Sequence, residues 1–215
     1  MNISLVHPSF KRPRQAHDCY KHWVMKSDNA CEYEWIISLS DNDPTASQYI
    51  HIFRHEPVTI ISTGATNMVM ASNAGAKIAG QDILILVSDD MFAPQGWDSL
   101  LLDWFARHPD PAVLQVHDGI RSDILTIPIM NRGAYERLGY LYHPKYISMF
   151  ADNDLTETAK AHGMYHLDES IEIEHRHYTV GKSQLDETYK RENSATAWTH
   201  GQRLFNQRQK IGFPL

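Results

Sequence analysis

The sequence predicts an α/β fold: a mixed, mostly parallel sheet flanked by helices, followed by a helical C-terminal tail. Three observations carry that expectation. Strand-like and helix-like segments alternate through the first half of the chain. The run Ile83-Leu-Ile-Leu-Val87 is apolar at every position, as a strand covered on both faces must be. An acidic pair, Asp89-Asp90, follows that run directly, and ligands of open α/β sheets bind beyond the carboxyl ends of strands.

The elements follow in order. Ile3 to Val6 is a short apolar strand ended by His7-Pro8. Arg14 to Lys26 places Tyr20, Trp23 and Val24 at helical spacing. Glu34 to Ser40 is a second strand, stopped by the turn Asp41-Asn-Asp-Pro44, and Val58 to Ser62 is a third. Thr66 to Ala79 is an Ala- and Met-rich helix. Gly75 within it costs about 1 kcal/mol against Ala, which signals a close backbone approach. Gly96 to Arg107 and Leu155 to His162 are further helices, and Gly133 to Leu138 is a helical turn. Ala112 to Val116, Asp123 to Met130 and Glu169 to Glu174 read as strands. The polar stretch from Gln184 to Arg208 is helical. The expected organisation is one domain over residues 1–183, with residues 184–215 as a tail of the same domain that either closes over the site or meets a second subunit.

Composition narrows the function. The 215 residues carry a net charge of -6 and no extended basic block, which counts against a general nucleic-acid binder. Nucleic acid is an expected partner only if a modified base accepts the reaction. The start lacks a signal-peptide pattern, and no apolar stretch reaches the roughly 18–20 residues that span a bilayer. Cys19 and Cys31 form no metal-type or disulfide framework, so a reducing cytoplasm is the expected compartment.

Three clusters carry the chemistry. Ser88-Asp89-Asp90 offers two carboxylates at the mouth of the sheet, able to divide metal binding and hydroxyl binding between them; Mn²⁺ or Mg²⁺ suits such oxygen donors. The bland alternative is a capping pair. Asp152-Asn153-Asp154 is either an ordinary helix start or the source of a general base. His175 and His177 share a face of a strand end, so a metal can meet one or both.

Taken in order along the chain, these segments resemble the family 2-type glycosyltransferases, whose fold is the Rossmann-like GT-A sheet. The likeness runs from Ile3 to Arg208. His7-Pro8-Ser9-Phe10-Lys11-Arg12-Pro13 looks like the family's first-strand loop under the nucleotide base, and Asp41 matches the acid that contacts the base. Asn73 to Gly75, with Lys77, resembles the stretch leading into the central strand. Ser88-Asp89-Asp90 occupies the Asp-X-Asp position, implying Asp89 near the ribose and Asp90 on the metal. Gly96-Trp97-Asp98 and Arg132 to Gly139 match common continuations. Ala151-Asp152-Asn153-Asp154-Leu155 is similar to Glu-Asp-X-Asp-Leu, which implies Asp152 as catalytic base, and His175 matches the late metal-binding histidine. Ser88 and Ala151 depart from the family's acids.

The resemblance implies a metal-dependent inverting glycosyltransferase. Its implied donor is a nucleotide-diphosphate sugar, bound by Pro8, Ser9, Phe10, Arg12, Asp41, Asn73, Lys77 and Asp89. The metal is Mn²⁺ or Mg²⁺ on Asp90 and His175, and the acceptor is a hydroxyl of open class. The rival readings are a non-catalytic sugar-nucleotide or carbohydrate-binding module, and a nucleotidyltransferase. The second is disfavoured by a first-strand loop without glycine.

Overall fold

A computed structural model describes residues 1–62 and 64–215. The strands are β1 (Ile3–Ser9), β2 (Tyr33–Leu39), β3 (Val58–Ser62), β4 (Ile83–Leu86), β5 (Met91–Phe92), β6 (Val113–His117), β7 (Ile129–Asn131), β8 (Tyr165–Glu172) and β9 (Glu174–His175). The helices are α1 (Pro13–Lys26), α2 (Ala46–Ile52), α3 (Met68–Ile78), α4 (Trp97–Ala106), α5 (Arg132–Leu138), α6 (Ala151–Ala161), α7 (Glu187–Glu192) and α8 (Ala195–Lys210). Seven strands form one sheet in the order β3-β2-β1-β4-β7-β6-β8. β7 runs antiparallel to β4 and β6, while the other pairings are parallel, so the sheet is mixed and mostly parallel. β5 and β9 form a separate antiparallel ribbon that sets Met91 opposite His175.

The pleat sorts the apolar residues into two cores. Ile3, Leu5, Trp35, Ile37, Ile83 and Ile85 face one side, where Trp23 of α1 and Trp97 of α4 pack edge to face at 5.0 Å. Val6, Ile36, Leu84 and Leu86 face the other, under α3, α5 and α6. Both faces of β4 are therefore covered, the condition its unbroken apolar run required. Gly75 makes the close approach expected of it: a Cβ there would lie 2.6 Å from Cγ1 of Val6 on β1.

Local signals set the helix starts. Asn67, Asn131, Asp186 and Ser194 each accept a backbone N–H of the first turn, and Pro13 opens α1. Asp98, fully buried, accepts from Ser27 Oγ at 2.6 Å and from the backbone of Asp28 and Ala30, tying α4 to the α1–β2 connection.

Several elements differ from expectation. The strand expected over Asp123 to Met130 shortens to Ile129–Asn131. Its first half is held as irregular chain instead, because Asp118 accepts the N–H groups of Ile120 and Arg121 and the Thr126 hydroxyl, while Thr156 accepts the Leu125 N–H. α2 has no strong periodic signal and buries only Tyr49. The helix expected from Leu155 starts at Ala151, after Phe150 takes a left-handed φ of 71°, so Asp152 lies in its first turn. The strand expected over Glu169 to Glu174 is broken into β8 and β9. The tail is helical as expected, in two helices split at Asn193-Ser194.

The tail folds back onto the domain. Arg208 pairs with buried Asp154, and Gly201 of α8 passes so close to Met149 that an added Cβ would collide with its carbonyl oxygen. Gly201→Ala should therefore destabilise the protein. Overpacking against rigid backbone costs about 2 kcal/mol and exceeds the gain in helix propensity of about 1 kcal/mol. Urea unfolding is expected to show a lower midpoint with an unchanged slope.

Candidate active site

The site forms where β1, β2 and β4 end side by side. A cavity of about 240 Å³ is lined there by Pro8, Ser9, Phe10 and Arg12 after β1, Ser40 after β2, and Ser88, Asp89 and Asp90 after β4. Asp152, Thr126, Tyr142, His175 and His177 line it from the other half of the molecule. This is the switch point of the sheet, since the chain winds outward from β1 through β2 to β3 on one side and restarts at β4 on the other.

The acid loop is held from below. Cys19 of α1 donates its thiol to the carbonyls of Ser88 and Met91, and the Trp23 indole donates to Met91 at 2.8 Å. Asp89 and Asp90 sit in a turn past the strand end, and their carboxylates diverge. Asp89 accepts from Ser9 Oγ at 2.7 Å, meets His7 Nε2 at 3.0 Å, and lies 3.8 Å from Arg12. It thus ties the β1 loop to the acid loop. Tyr49 reinforces that tie through Ser9 and the Arg12 N–H.

Asp90 points the other way. Its Oδ2 lies 3.3 Å from His175 Nε2 and accepts from the Tyr189 hydroxyl at 2.5 Å. Behind the ring, His175 Nδ1 faces Asp118 Oδ2 at 3.8 Å, and Asp118 is only 1% exposed. Main-chain bonds fix the geometry: His175 N donates to Asp118 O at 2.9 Å, and Arg176 N to Asp90 O at 2.7 Å. Burial alone would lower the imidazole pKa, but the two carboxylates prevail and raise it to about 9. Burial likewise opposes ionisation of Asp90, yet His175, Tyr189 and Arg12 hold its carboxyl at about 2. Asp118 was not singled out in the sequence. Its one signal was a place at the end of a strand, after His117, with no motif around it.

Asp152 stands across the cavity, and burial raises its carboxyl above the ordinary carboxylate range. The tail closes the remaining side. Asp186 grips Arg12 through two bonds of 2.7 and 2.8 Å, Lys11 reaches Glu187 at 2.9 Å, and the Arg12 guanidinium lies 4.0 Å from the Tyr189 ring centre. Arg191 stacks on Phe10 at 3.9 Å.

Among the described residues, no group of three or more His, Cys, Asp or Glu side chains could hold a metal ion by itself. Asp90 and His175 nevertheless offer an oxygen and a nitrogen 3.3 Å apart at the cavity wall. Such a pair fits Mn²⁺ or Mg²⁺ when phosphate oxygens and water complete the shell.

No protein-family model matches the sequence, and no curated protein matches it. Solved structures do. TarS 1–349 of S. aureus in complex with UDP-GlcNAc superposes with a TM-score of 0.67 over 89% of this chain and 64% of that one, at 11% identity. The mannosyltransferase PcManGT from Pyrobaculum calidifontis, in complex with GDP-Man and Mn²⁺, gives 0.64 over 98% of this chain and 75% of that one, at 13% identity. The chain spans 59% of another TarS 1–349 structure and 36% of the longer TarS structure. This is the GT-A fold.

Within this GT-A sheet, three residues of the expected donor set lie away from the cavity lining. Asp41 is one residue past Ser40, and its carboxylate turns to the Ser62 hydroxyl and the Gly64 N–H. Asn73 spends its amide on the 141–142 turn, donating to Tyr142 O at 2.7 Å and accepting from the N–H groups of Leu141 and Tyr142. Lys77 is exposed in the last turn of α3, whose first turn meets the cavity; nine residues of helix separate the ends by roughly 13 Å. Among the tyrosines of the 120–146 segment, Tyr142 and Tyr146 are buried, and Tyr142 borders the cavity. Among the described residues, no helix is long and apolar enough to cross a membrane.

The His175 triad makes stability pH-dependent in the metal-free GT-A protein. A folded-state pKa near 9 against an ordinary value of 6.5 gives stability that is complete below about pH 6.5 and lost as pH rises through 9. A shift of this size is worth roughly 3 kcal/mol. Asp90 contributes oppositely: its share is present above its ordinary 3.8 and lost as pH falls through about 2. Thermal unfolding without metal should therefore show a decline between pH 6.5 and 9 that His175→Gln abolishes.

Proposed function

We propose that the chain is a metal-dependent inverting glycosyltransferase of the family 2 type. It moves a sugar from a nucleotide-diphosphate donor to an acceptor hydroxyl. One observation carries this reading: Asp90, His175 and Asp152, far apart in sequence, border one cavity at the switch point of a GT-A sheet. UDP-GlcNAc in complex with TarS, and GDP-Man with Mn²⁺ in complex with PcManGT, are consistent with it.

In this reading the β1 loop and Ser40 receive the nucleoside, and Arg12 meets the diphosphate. Asp90 and His175 would hold Mn²⁺ or Mg²⁺, whose charge would offset the charge growing on the departing nucleoside diphosphate. Asp152 removes the proton from the acceptor hydroxyl as it attacks the anomeric carbon. A base with a raised pKa takes that proton more readily than an ordinary carboxylate, which suits its cavity position. The single displacement needs no covalent sugar adduct, so one base suffices.

The tail acts as the cover of the donor. Its contacts to Arg12, Lys11 and Asp90 use the same groups that the diphosphate and metal would engage, so donor entry requires α7 to move.

Asp152→Asn is expected to lower transfer by about 10²- to 10⁴-fold while leaving donor affinity nearly unchanged. Release of nucleoside diphosphate and calorimetric donor binding check the two halves. Comparable transfer in the variant would remove Asp152 from the mechanism. Asp90→Ala should abolish the part of donor affinity that depends on Mn²⁺, and unchanged Mn²⁺ dependence would take Asp90 out of the metal site.

A further inference from the structure

His175 and His177 stand one residue apart on the same wall of the cavity, with ring centres 5.0 Å apart. Their second nitrogens have opposite surroundings. His175 lies between two carboxylates, Nε2 at 3.3 Å from Asp90 and Nδ1 at 3.8 Å from Asp118; a metal bound beside Asp90 would displace the proton on Nε2, while Asp118 keeps the one on Nδ1. His177 Nδ1 instead accepts the backbone N–H of Thr179 at 3.4 Å and meets the Thr179 hydroxyl at 2.8 Å. The Thr179 N–H directed at Nδ1 favours the neutral tautomer with its hydrogen on Nε2, where the ring offers a donor to a ligand rather than a lone pair to a metal.

The ring is also fixed in direction. It packs edge-on against Tyr189, with centres 4.8 Å apart, and lies 4.4 Å from the Tyr178 ring. Among the described residues, its only hydrogen-bond partner is Thr179, through Nδ1. A diphosphate gathered at Asp90 and His175 would come within reach of this free N–H.

Resting on the donor reading above, the geometry points to His177 as a neutral hydrogen-bond donor to a diphosphate oxygen, leaving His175 alone as the metal's imidazole. Two histidines on one strand end thus take different tasks because Asp118 backs one and Thr179 backs the other. The bond would strengthen as charge gathers on the leaving diphosphate.

The test compares His177→Gln, His177→Phe and His175→Gln by calorimetry with UDP and GDP, with UMP and GMP as controls. At saturating Mn²⁺, His177→Phe should weaken diphosphate binding about ten-fold, as loss of a bond to a charged group does, and leave monophosphate binding within two-fold. His177→Gln presents an amide N–H near the position of Nε2 and should restore most of the affinity. The Mn²⁺ concentration for half-maximal diphosphate binding should stay within about two-fold in His177→Phe and rise at least ten-fold in His175→Gln. Nitrogen-15 NMR of the metal-free protein should find the His177 proton on Nε2. A proton on Nδ1, or a Mn²⁺ requirement raised in His177→Phe as far as in His175→Gln, would overturn the assignment. Normal diphosphate affinity in His177→Phe would overturn this proposal alone, whereas an unaltered protein that binds neither UDP nor GDP would overturn the donor reading and this proposal with it.

Discussion

One buried imidazole organises the functional half of this molecule. His175 stands between Asp90, from the acid loop, and Asp118, from the irregular chain after β6. It joins parts of the sequence that share no local element. Without the ring, two carboxylates would be left facing a poorly solvated space, where like charges are costly and one would have to protonate. With it, the β5–β9 ribbon is pinned to the acid loop, and the cavity has a fixed wall. The same arrangement leaves a carboxylate oxygen and an imidazole nitrogen side by side, the pair to which the proposed activity assigns a cation.

The supporting structure serves that convergence. Trp23 and Cys19 hold the acid loop from α1, and Asp89 ties it to the end of β1. Asp89 and Asp90 are neighbours with different duties because the strand ends at Leu86 and the chain turns beneath them. On the far side, Asp154 anchors Arg208 while Asp152, two residues earlier, is left to the cavity. The tail meets this framework from outside: Asp186 holds Arg12, Glu187 holds Lys11, and the Tyr189 hydroxyl donates to Asp90.

Much of the sheet was legible in the sequence because burial leaves a pattern. The unbroken run at Ile83, the turn after Ser40 and the helix glycine Gly75 each carry a local physical cause, and the structure answers each one. The convergence of Asp90 and His175 was legible only through the order of motifs, since nothing in the spacing of residues 90 and 175 fixes a distance. Asp118 was invisible for the opposite reason. Its role comes from a tertiary contact, and its neighbours looked like an ordinary strand end. The stretch from Asp123 reads as strand because its apolar residues join the two cores, Leu125 on one face and Ile127 on the other, but side chains take its polar groups: Thr156 accepts the Leu125 N–H and Asp118 the Thr126 hydroxyl. Asn73 and Lys77 show the limit of reading roles from position in a motif: one caps a neighbouring turn, and the other sits at the wrong end of its helix.

The proposed activity requires Asp90 and His175 to share one divalent ion in the presence of a nucleoside diphosphate. Pulsed electron paramagnetic resonance of Mn²⁺ with the protein and UDP or GDP addresses that directly, because an imidazole nitrogen on the ion modulates the signal. The expected result is a nitrogen-14 coupling together with phosphorus-31 coupling, the former lost in His175→Gln. Phosphorus coupling without any nitrogen, or a nitrogen coupling that survives that substitution, would contradict it.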